Sequence, residues 1–335
     1  MLAAPPRELP HRIGFLLIPQ FSMISFSTAL EPLRLANRQS GKDLYAWTTY
    51  SPDGQAVTAS NGLVFQPHGG LEEASELPVV VVCAGVEVHR YDNKQVMSWL
   101  RRMSRNGKDV GAVCTASHIL ARAGLLDGYR CTIHWENLAS FAEDFPSIEV
   151  SSEIFEIDRN RFTCAGGTAP LDMMLNMIAL QHGHELAASV ADQFMHERIR
   201  DQHDHQRISL PARLGVRHPK LLTVIELMEQ NLEEPLSRGE LAQAARLSTR
   251  QLERLFRKYL SRSPARYYLE LRLNRARLLL LQTNMSVIDV ALACGFVSAS
   301  HFSKCYRDFF GHTPRKERGL PLTGAEEAAQ YAVAQ

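Results

Sequence analysis

Residues 111–128 read GAVCTASHILARAGLLDG. Small and apolar residues run into Cys114, and a helix-like segment follows at once. That is a strand, a sharp turn and a helix, with a thiol at the turn. Such a unit belongs to an α/β domain, where parallel strands alternate with crossover helices. Working outward, the apolar runs IGFLLI (13–18), PVVVVCAGV (78–86) and VGAVC (110–114) predict strands buried on both faces. SFSTALEPLRLANRQSG and DNKQVMSWLRRMSRNG predict helices closed by Gly41 and Gly107. FTCAGGTAPLDMMLNMIALQHG predicts a last strand, a Gly-rich turn and a helix. HELAASVADQFMHERIR (184–200) predicts one more helix.

The 335 residues suffice for two or three domains, each with its own core. An apolar share of 45% and a charged share of 22% fit an ordinary globular chain. No apolar run reaches the roughly 18 residues of a membrane span, and the N-terminus lacks the apolar stretch of a signal peptide. No membrane association is therefore expected, and the cytoplasm is the expected location. Six scattered cysteines without a CxxC pair fit buried thiols in a reducing compartment better than disulfides or a zinc site. The segment 202–218 is polar, His-rich and broken by prolines, so it reads as a linker. Its histidines match no common ligand spacing. No metal or cofactor is expected.

The net charge of +1 hides an asymmetry. Residues 212–320 carry about 19 Lys+Arg against about 10 Asp+Glu, so the rest of the chain is acidic. A basic third attached to an acidic remainder points to a polyanion-binding module. Its pattern is wholly helical from 219 to 318. Ser237 with Glu240, and Ser248 with Gln251, are capping boxes that start two short helices in succession. In the second, Leu252, Leu255, Phe256 and Tyr259 form an inward face, opposite Arg250, Glu253, Arg254 and Arg257. The pattern recurs later. Ser286 caps SVIDVALAC, Gly295 makes the turn, and SASHFSKCYRDFFG follows. There Phe302, Cys305, Tyr306 and Phe309 face in, and Ala299, Ser300, His301, Ser303, Lys304 and Arg307 face out. These are two helix-turn-helix units. The helix from Ser263 between them, about 30 Å long, can set them one DNA turn apart.

The stretch RLNRARLLLLQTNMSVIDVALACGFVSASHFSKCYRDFFGHTP resembles the signature of AraC/XylS-type transcription regulators. The resemblance spans the C-terminal hundred residues. It implies that the outward side chains above contact DNA. Arg250 and Arg254 suit guanine edges, and Ser300, His301 and Lys304 suit base edges or phosphate. Glu253 and Arg257 fit a solvent-facing role equally well, and Tyr267 and Tyr268 fit the core.

In the N-terminal region, a thiolate at Cys114 would feel the following helix dipole, which lowers a cysteine pKa. His134 in TIHWE could serve as its base, and Glu31 in ALEPLRLAN could complete a catalytic set. Spacing alone leaves a buried small residue equally open. The order IGFLLIPQFSMISFSTALEPLRLAN, VVVVCAGV, GAVCTASHILARAGLLDG, T-x-HW, GGTAPLDMML resembles the ThiJ/PfpI-type class I glutamine-amidotransferase-like fold. More narrowly, it resembles the version fused to AraC-type domains in bacterial regulators. That resemblance implies a flavodoxin-like ligand sensor and dimerisation domain over 11–201 and a linker over 202–218. A double helix-turn-helix domain follows over 219–318, and a tail over 319–335.

Within the fused family, EPLRLANRQSGKDLY, LLDGYRCTIHWENLA, GGTAPLDMML and DQHDHQRISL resemble regulators of glycine betaine and carnitine catabolism. A trimethylammonium group wants aromatic faces and a carboxylate, which Trp135, Phe21 and Glu136 or Glu31 could supply. The ligand's own carboxylate would sit at the helix N-terminus after Cys114, beside Thr115 and His134. The expected protein is a regulator and not an enzyme. It is expected to activate transcription as a homodimer that engages promoter DNA, RNA polymerase and a cationic or zwitterionic metabolite, at the nucleoid of a bacterial cytoplasm. The alternatives are the same regulator sensing arginine or another amino acid, and a cysteine enzyme tethered to DNA.

Overall fold

The computed structural model describes residues 8–74 and 77–318, which divide into two compact units meeting in sequence at Arg207 and Ile208. The expected tail, 319–335, lies outside the described residues.

The first unit is built on a six-stranded sheet. Its order is Tyr45–Tyr50, His11–Leu17, Val79–Cys83, Asp109–Val113, Arg161–Cys164, Phe155–Asp158. Neighbours run parallel except the last pair, which is antiparallel. The three apolar runs become the central strands, and their side chains alternate between two separate cores. Ile13, Phe15, Leu17, Val79 and Val81 pack under the helices Met23–Ser40, Ala169–His182 and His184–Gln193. Leu16, Val80, Val82 and Val110 pack under Lys94–Arg105, Ser117–Arg122 and Leu138–Asp144. Covering both faces explains why these strands read as unbroken apolar runs.

Two expectations for this unit change. The helix read over 184–200 stops at Gln193, and Met195 takes a left-handed φ of 53°. The chain turns there because the buried Asp172 carboxylate draws it back. Asp172 accepts from His196 Nε2 at 2.8 Å, from the Arg200 backbone N–H at 2.6 Å and from Arg200 Nε at 2.8 Å. The stretch read as a linker is structured at both ends. Residues 203–206 are bonded to the first unit, and Leu210 and Val216 enter the second unit's core around the helix Leu210–Leu214.

The second unit is helical throughout its described residues. Both expected capping boxes form, at Ser237/Glu240 and Ser248/Gln251, and the Ser286 cap forms a third with Asp289. The connecting helix Pro264–Gln282 has 19 residues, about 28 Å. Gly295 makes the second turn at φ +73°, and a Cβ there would lie 2.7 Å from Pro235 Cγ and 2.8 Å from Glu233 O. Both the backbone angle and the packing therefore require glycine.

Candidate functional site

Cys114 ends the Asp109–Val113 strand at φ +62°, in the left-handed region where a non-glycine residue is uncommon. Its backbone carbonyl accepts from the His134 N–H at 3.2 Å. The two side chains meet at Gly166, just past the neighbouring strand Arg161–Cys164. A Cβ on Gly166 would lie 3.1 Å from Cys114 Sγ and 3.3 Å from His134 Nε2. The elbow read from the sequence is present, and His134 does reach it.

The chemistry of the elbow differs from the expectation. Burial pushes the Cys114 thiol up to about 11, further than the Ser25 and Ser22 hydroxyls and the Thr115 backbone can lower it, and the Glu136 charge adds to the rise. The helix that was to lower it is only six residues, Ser117–Arg122, and its first residues are buried. Ser117 and His118 are at most 4% exposed. The short helix therefore presents a buried rather than an open N-terminus. Burial also lowers His134 to about 4, so its 3.8 Å approach to Glu136 involves a neutral imidazole and is not an ion pair. The thiol and the imidazole both stand neutral at pH 7, so the pair is not a preformed thiolate–imidazolium.

That neutrality has a pH consequence. The folded-state pKa of His134 lies below the unfolded value near 6.5, so its contribution is intact above 6.5 and is lost as pH falls towards 4. His134→Gln should remove up to about 3 kcal/mol of the stability lost between pH 7 and pH 4, measured by urea unfolding. Parallel pH profiles for wild type and variant would contradict it.

Of the other expected residues, Phe21 is fully buried and packs edge-on against Phe26 at 5.8 Å, so it is core. Glu31 is paired with Arg34 at 2.6 Å and lines a different cavity, with Phe26, Leu30, Trp47 and Phe65. The Thr115 hydroxyl donates to Gly85 O at 2.6 Å, inside the fold. Glu136 stays beside His134, donating its backbone N–H to Nδ1 at 3.4 Å.

Beside the elbow lies a cavity of about 220 Å³, walled by His134, Trp135, Gly166, Thr168, Arg200 and Gln206 among others. It opens past the carboxyl end of the Arg161–Cys164 strand, the side on which open α/β sheets bind ligands. Sequence reasoning missed Arg200, Thr168 and Gln206. The Arg200 guanidinium is tied to Asp172 and, at 2.7 Å, to the Thr168 hydroxyl, while its Nη1 makes no hydrogen bond among the described residues. The Arg200 charge is thus balanced by Asp172, which suits a ligand with no net charge.

In the second unit, the helices Thr249–Leu260 and Ala299–Phe310 follow their turns as expected. Arg250, Arg254, Arg257, Ser300, His301, Lys304 and Arg307 are exposed, and Ala299 and Ser303 partly so. Glu253 is held by Arg238 at 3.1 Å and approached by Arg257 at 3.9 Å, so its carboxylate neutralises cations. Arg238, at the start of the preceding helix, was not singled out from the sequence. Leu252, Phe256, Phe302 and Tyr306 are buried, and Leu255, Cys305 and Phe309 are half-buried. Tyr259, expected to face in, is 39% exposed, with the His218 ring 5.5 Å away and Lys258 over its face.

An α/β domain with a buried thiol elbow, joined to a bundle with two helix-turn-helix units, defines a regulator that carries an enzyme-like fold. Residues 11–180 match the DJ-1/PfpI family, and residues 241–319 match a helix-turn-helix domain family. The HTH-type transcriptional regulator GbdR of Pseudomonas aeruginosa is 54% identical over 319 residues, 95% of this chain and 87% of that protein. The regulator CdhR of the same species is 48% identical, covering 92% of each. A solved AraC family transcriptional regulator from Pseudomonas putida is 30% identical. It covers 55% of this chain and all of its own, with a TM-score of 0.51. The chain belongs to the AraC-type HTH transcriptional regulators that carry an N-terminal DJ-1/PfpI domain.

Proposed function

We propose that this regulator senses a zwitterionic quaternary amine of the glycine betaine or carnitine class in the cavity beside Cys114, and answers it at promoter DNA. The observation that carries the reading is the pairing of Arg200 with Trp135 in one small cavity. The unbonded Nη1 of Arg200 suits the ligand carboxylate, and the Trp135 indole suits a trimethylammonium group, which cannot accept or donate hydrogen bonds. Arg200 takes over the anion role first assigned to the helix after Cys114. The likeness of several segments to regulators of quaternary-amine catabolism supports the same ligand class.

Arg250, Arg254, Ser300, His301, Lys304 and Arg307 form the DNA-reading surface, with Ala299 and Ser303 at its edge. The regulator works as an activating homodimer that recruits RNA polymerase, and the ligand shifts an existing equilibrium between DNA-bound forms. The neutral Cys114 supports a sensor without turnover, so Cys114→Ala should keep the transcriptional response.

Titration calorimetry of the full chain with glycine betaine, carnitine and arginine tests the ligand. Betaine or carnitine should bind, and Trp135→Ala should weaken binding about 5- to 30-fold. Binding of arginine alone, or an unchanged affinity in the variant, would refute the site. On duplex DNA selected from a random pool, Arg254→Ala and Lys304→Ala should each reduce the log-affinity against log-salt slope by about one if they touch phosphate.

A further inference from the structure

The second cavity of the first unit, about 340 Å³, shares no lining residue with the one beside Cys114. Glu31 reaches it from the helix Met23–Ser40, and Trp47 and Thr49 reach it from one face of the edge strand Tyr45–Tyr50. Phe26, Phe65 and His68 also stand in its wall. The Phe26 ring is held edge-on by Phe15 at 5.6 Å, Phe21 at 5.8 Å and Phe65 at 5.4 Å, so it is fixed before any ligand arrives. No lysine or arginine is among the lining residues, and their one carboxylate is Glu31. Arg34 donates twice to Glu31 Oε2, at 2.8 and 2.6 Å, while Oε1 makes no hydrogen bond among the described residues. The Arg34 and Glu31 side chains are 46% and 37% exposed, so solvent weakens their pairing. The Thr49 backbone N–H donates to His68 Nδ1 at 3.2 Å, which makes Nδ1 an acceptor and leaves the imidazole proton on Nε2. The Thr49 hydroxyl lies 2.7 Å from the same nitrogen, and Nε2–H makes no hydrogen bond among the described residues.

We infer that this cavity is a second ligand site of the α/β unit, for an organic ammonium ion that carries no carboxylate. Three aromatic side chains and a carboxylate oxygen with spare capacity attract a cation. Alkyl groups on the nitrogen suit the apolar wall and need no directional partner. The same wall disfavours an anion, because Glu31 repels a carboxylate and no lining cation receives one. The cavity beside Cys114 differs on this point, since Arg200 lines it. The two cavities thus divide amines by whether they carry an acid group. The His68 Nε2–H adds a donor for a hydroxyl oxygen on the same ligand. This site goes beyond the ligand reading above and does not depend on it.

Titration calorimetry of the full-length protein with choline as probe tests the inference. Dimethylbutanol, the neutral carbon isostere of choline, is the control. Choline should bind about 2- to 30-fold more tightly than the alcohol. Trp47→Leu keeps an apolar side chain but removes the ring, and Glu31→Gln keeps the shape but removes the charge. Each should shrink the advantage of choline over the alcohol. With the protein first saturated by glycine betaine, choline should still bind with the same affinity. Equal affinities for choline and the alcohol, or an advantage that survives both substitutions, would overturn the site. Loss of choline binding under saturating betaine would overturn it too, by placing choline in the cavity beside Cys114. Absence of choline heat from wild type, as when a second copy of the chain covers the cavity, would have the same force. Absence of betaine heat would instead count against the ligand reading, and the comparison of choline with the alcohol would still decide this site.

Discussion

Glu317→Ala should destabilise the helix-turn-helix unit by about 3–5 kcal/mol. The Glu317 side chain is fully buried, and it accepts from Arg277 Nε at 2.9 Å, from the Tyr306 hydroxyl at 2.8 Å and from His312 Nε2. The Arg277 side chain is itself only 12% exposed. Removing the carboxylate leaves a buried cation and a buried hydroxyl without this acceptor, which is the costly way to break such a pair. The unit holds little more than a hundred described residues, so its melting temperature should drop by more than about 10 °C in scanning calorimetry. Burial by itself would raise the Glu317 pKa, but the Tyr306, His312 and Arg277 partners hold it below the usual carboxylate value. Its stabilisation is therefore present above about pH 4.5 and is lost as pH falls through the lower folded value. The gap between wild type and variant should close in that acid range. A shift of only 2–3 °C at neutral pH would show that the network contributes little.

Asp172→Ala should cost the first unit about 3 kcal/mol and should also abolish betaine binding at concentrations that saturate wild type. The Asp172 carboxylate is fully buried and fixes His196 and both the backbone and the guanidinium of Arg200. Its partners are partly exposed and can turn to water, which keeps the loss towards the lower end for a buried charge pair. The functional loss is larger because Arg200 leaves the cavity wall once nothing holds it. Asp172→Asn is a sharper probe. It conserves shape but places an amide against N–H donors, so it should fail in calorimetric titration while losing less stability. Normal betaine affinity in the asparagine variant would show that Arg200 is placed by other contacts.

The two buried carboxylates also mark what could be read in advance. Glu317 lies three residues past the HTP that closes the recognition pattern, yet nothing in its spacing shows that it enters the core. Asp172 sits inside a helix pattern, and the region 184–200 has helical periodicity to its end. A local pattern does not contain the partner some 24–28 residues away that breaks it at Met195. The two edge strands, Tyr45–Tyr50 and Phe155–Asp158, were missed for a related reason. Each pairs on one side only, so YAWTTY and FEID lack the unbroken apolar character of the central strands. Phe21 and Glu31 follow the first strand closely and looked available for a ligand. Their directions were set by packing: Phe21 turns into the core, and Glu31 turns to Arg34.

What the sequence by itself determined is the part that local chemistry enforces. Three capping boxes, a glycine turn and a basic outer face make the helix-turn-helix units, because each of those signals acts within a few residues. The central strands are equally explicit, since burial on both faces leaves no polar positions. Tertiary structure alone decided which groups meet around Cys114. The elbow is where the sequence placed it, but burial raises its thiol pKa, and the cavity beside it is completed by Arg200 and Gln206. Those residues come from a segment that reads as helix end and linker. They reach the cavity because Asp172 and Glu153 hold the segment there, through contacts that no local pattern encodes.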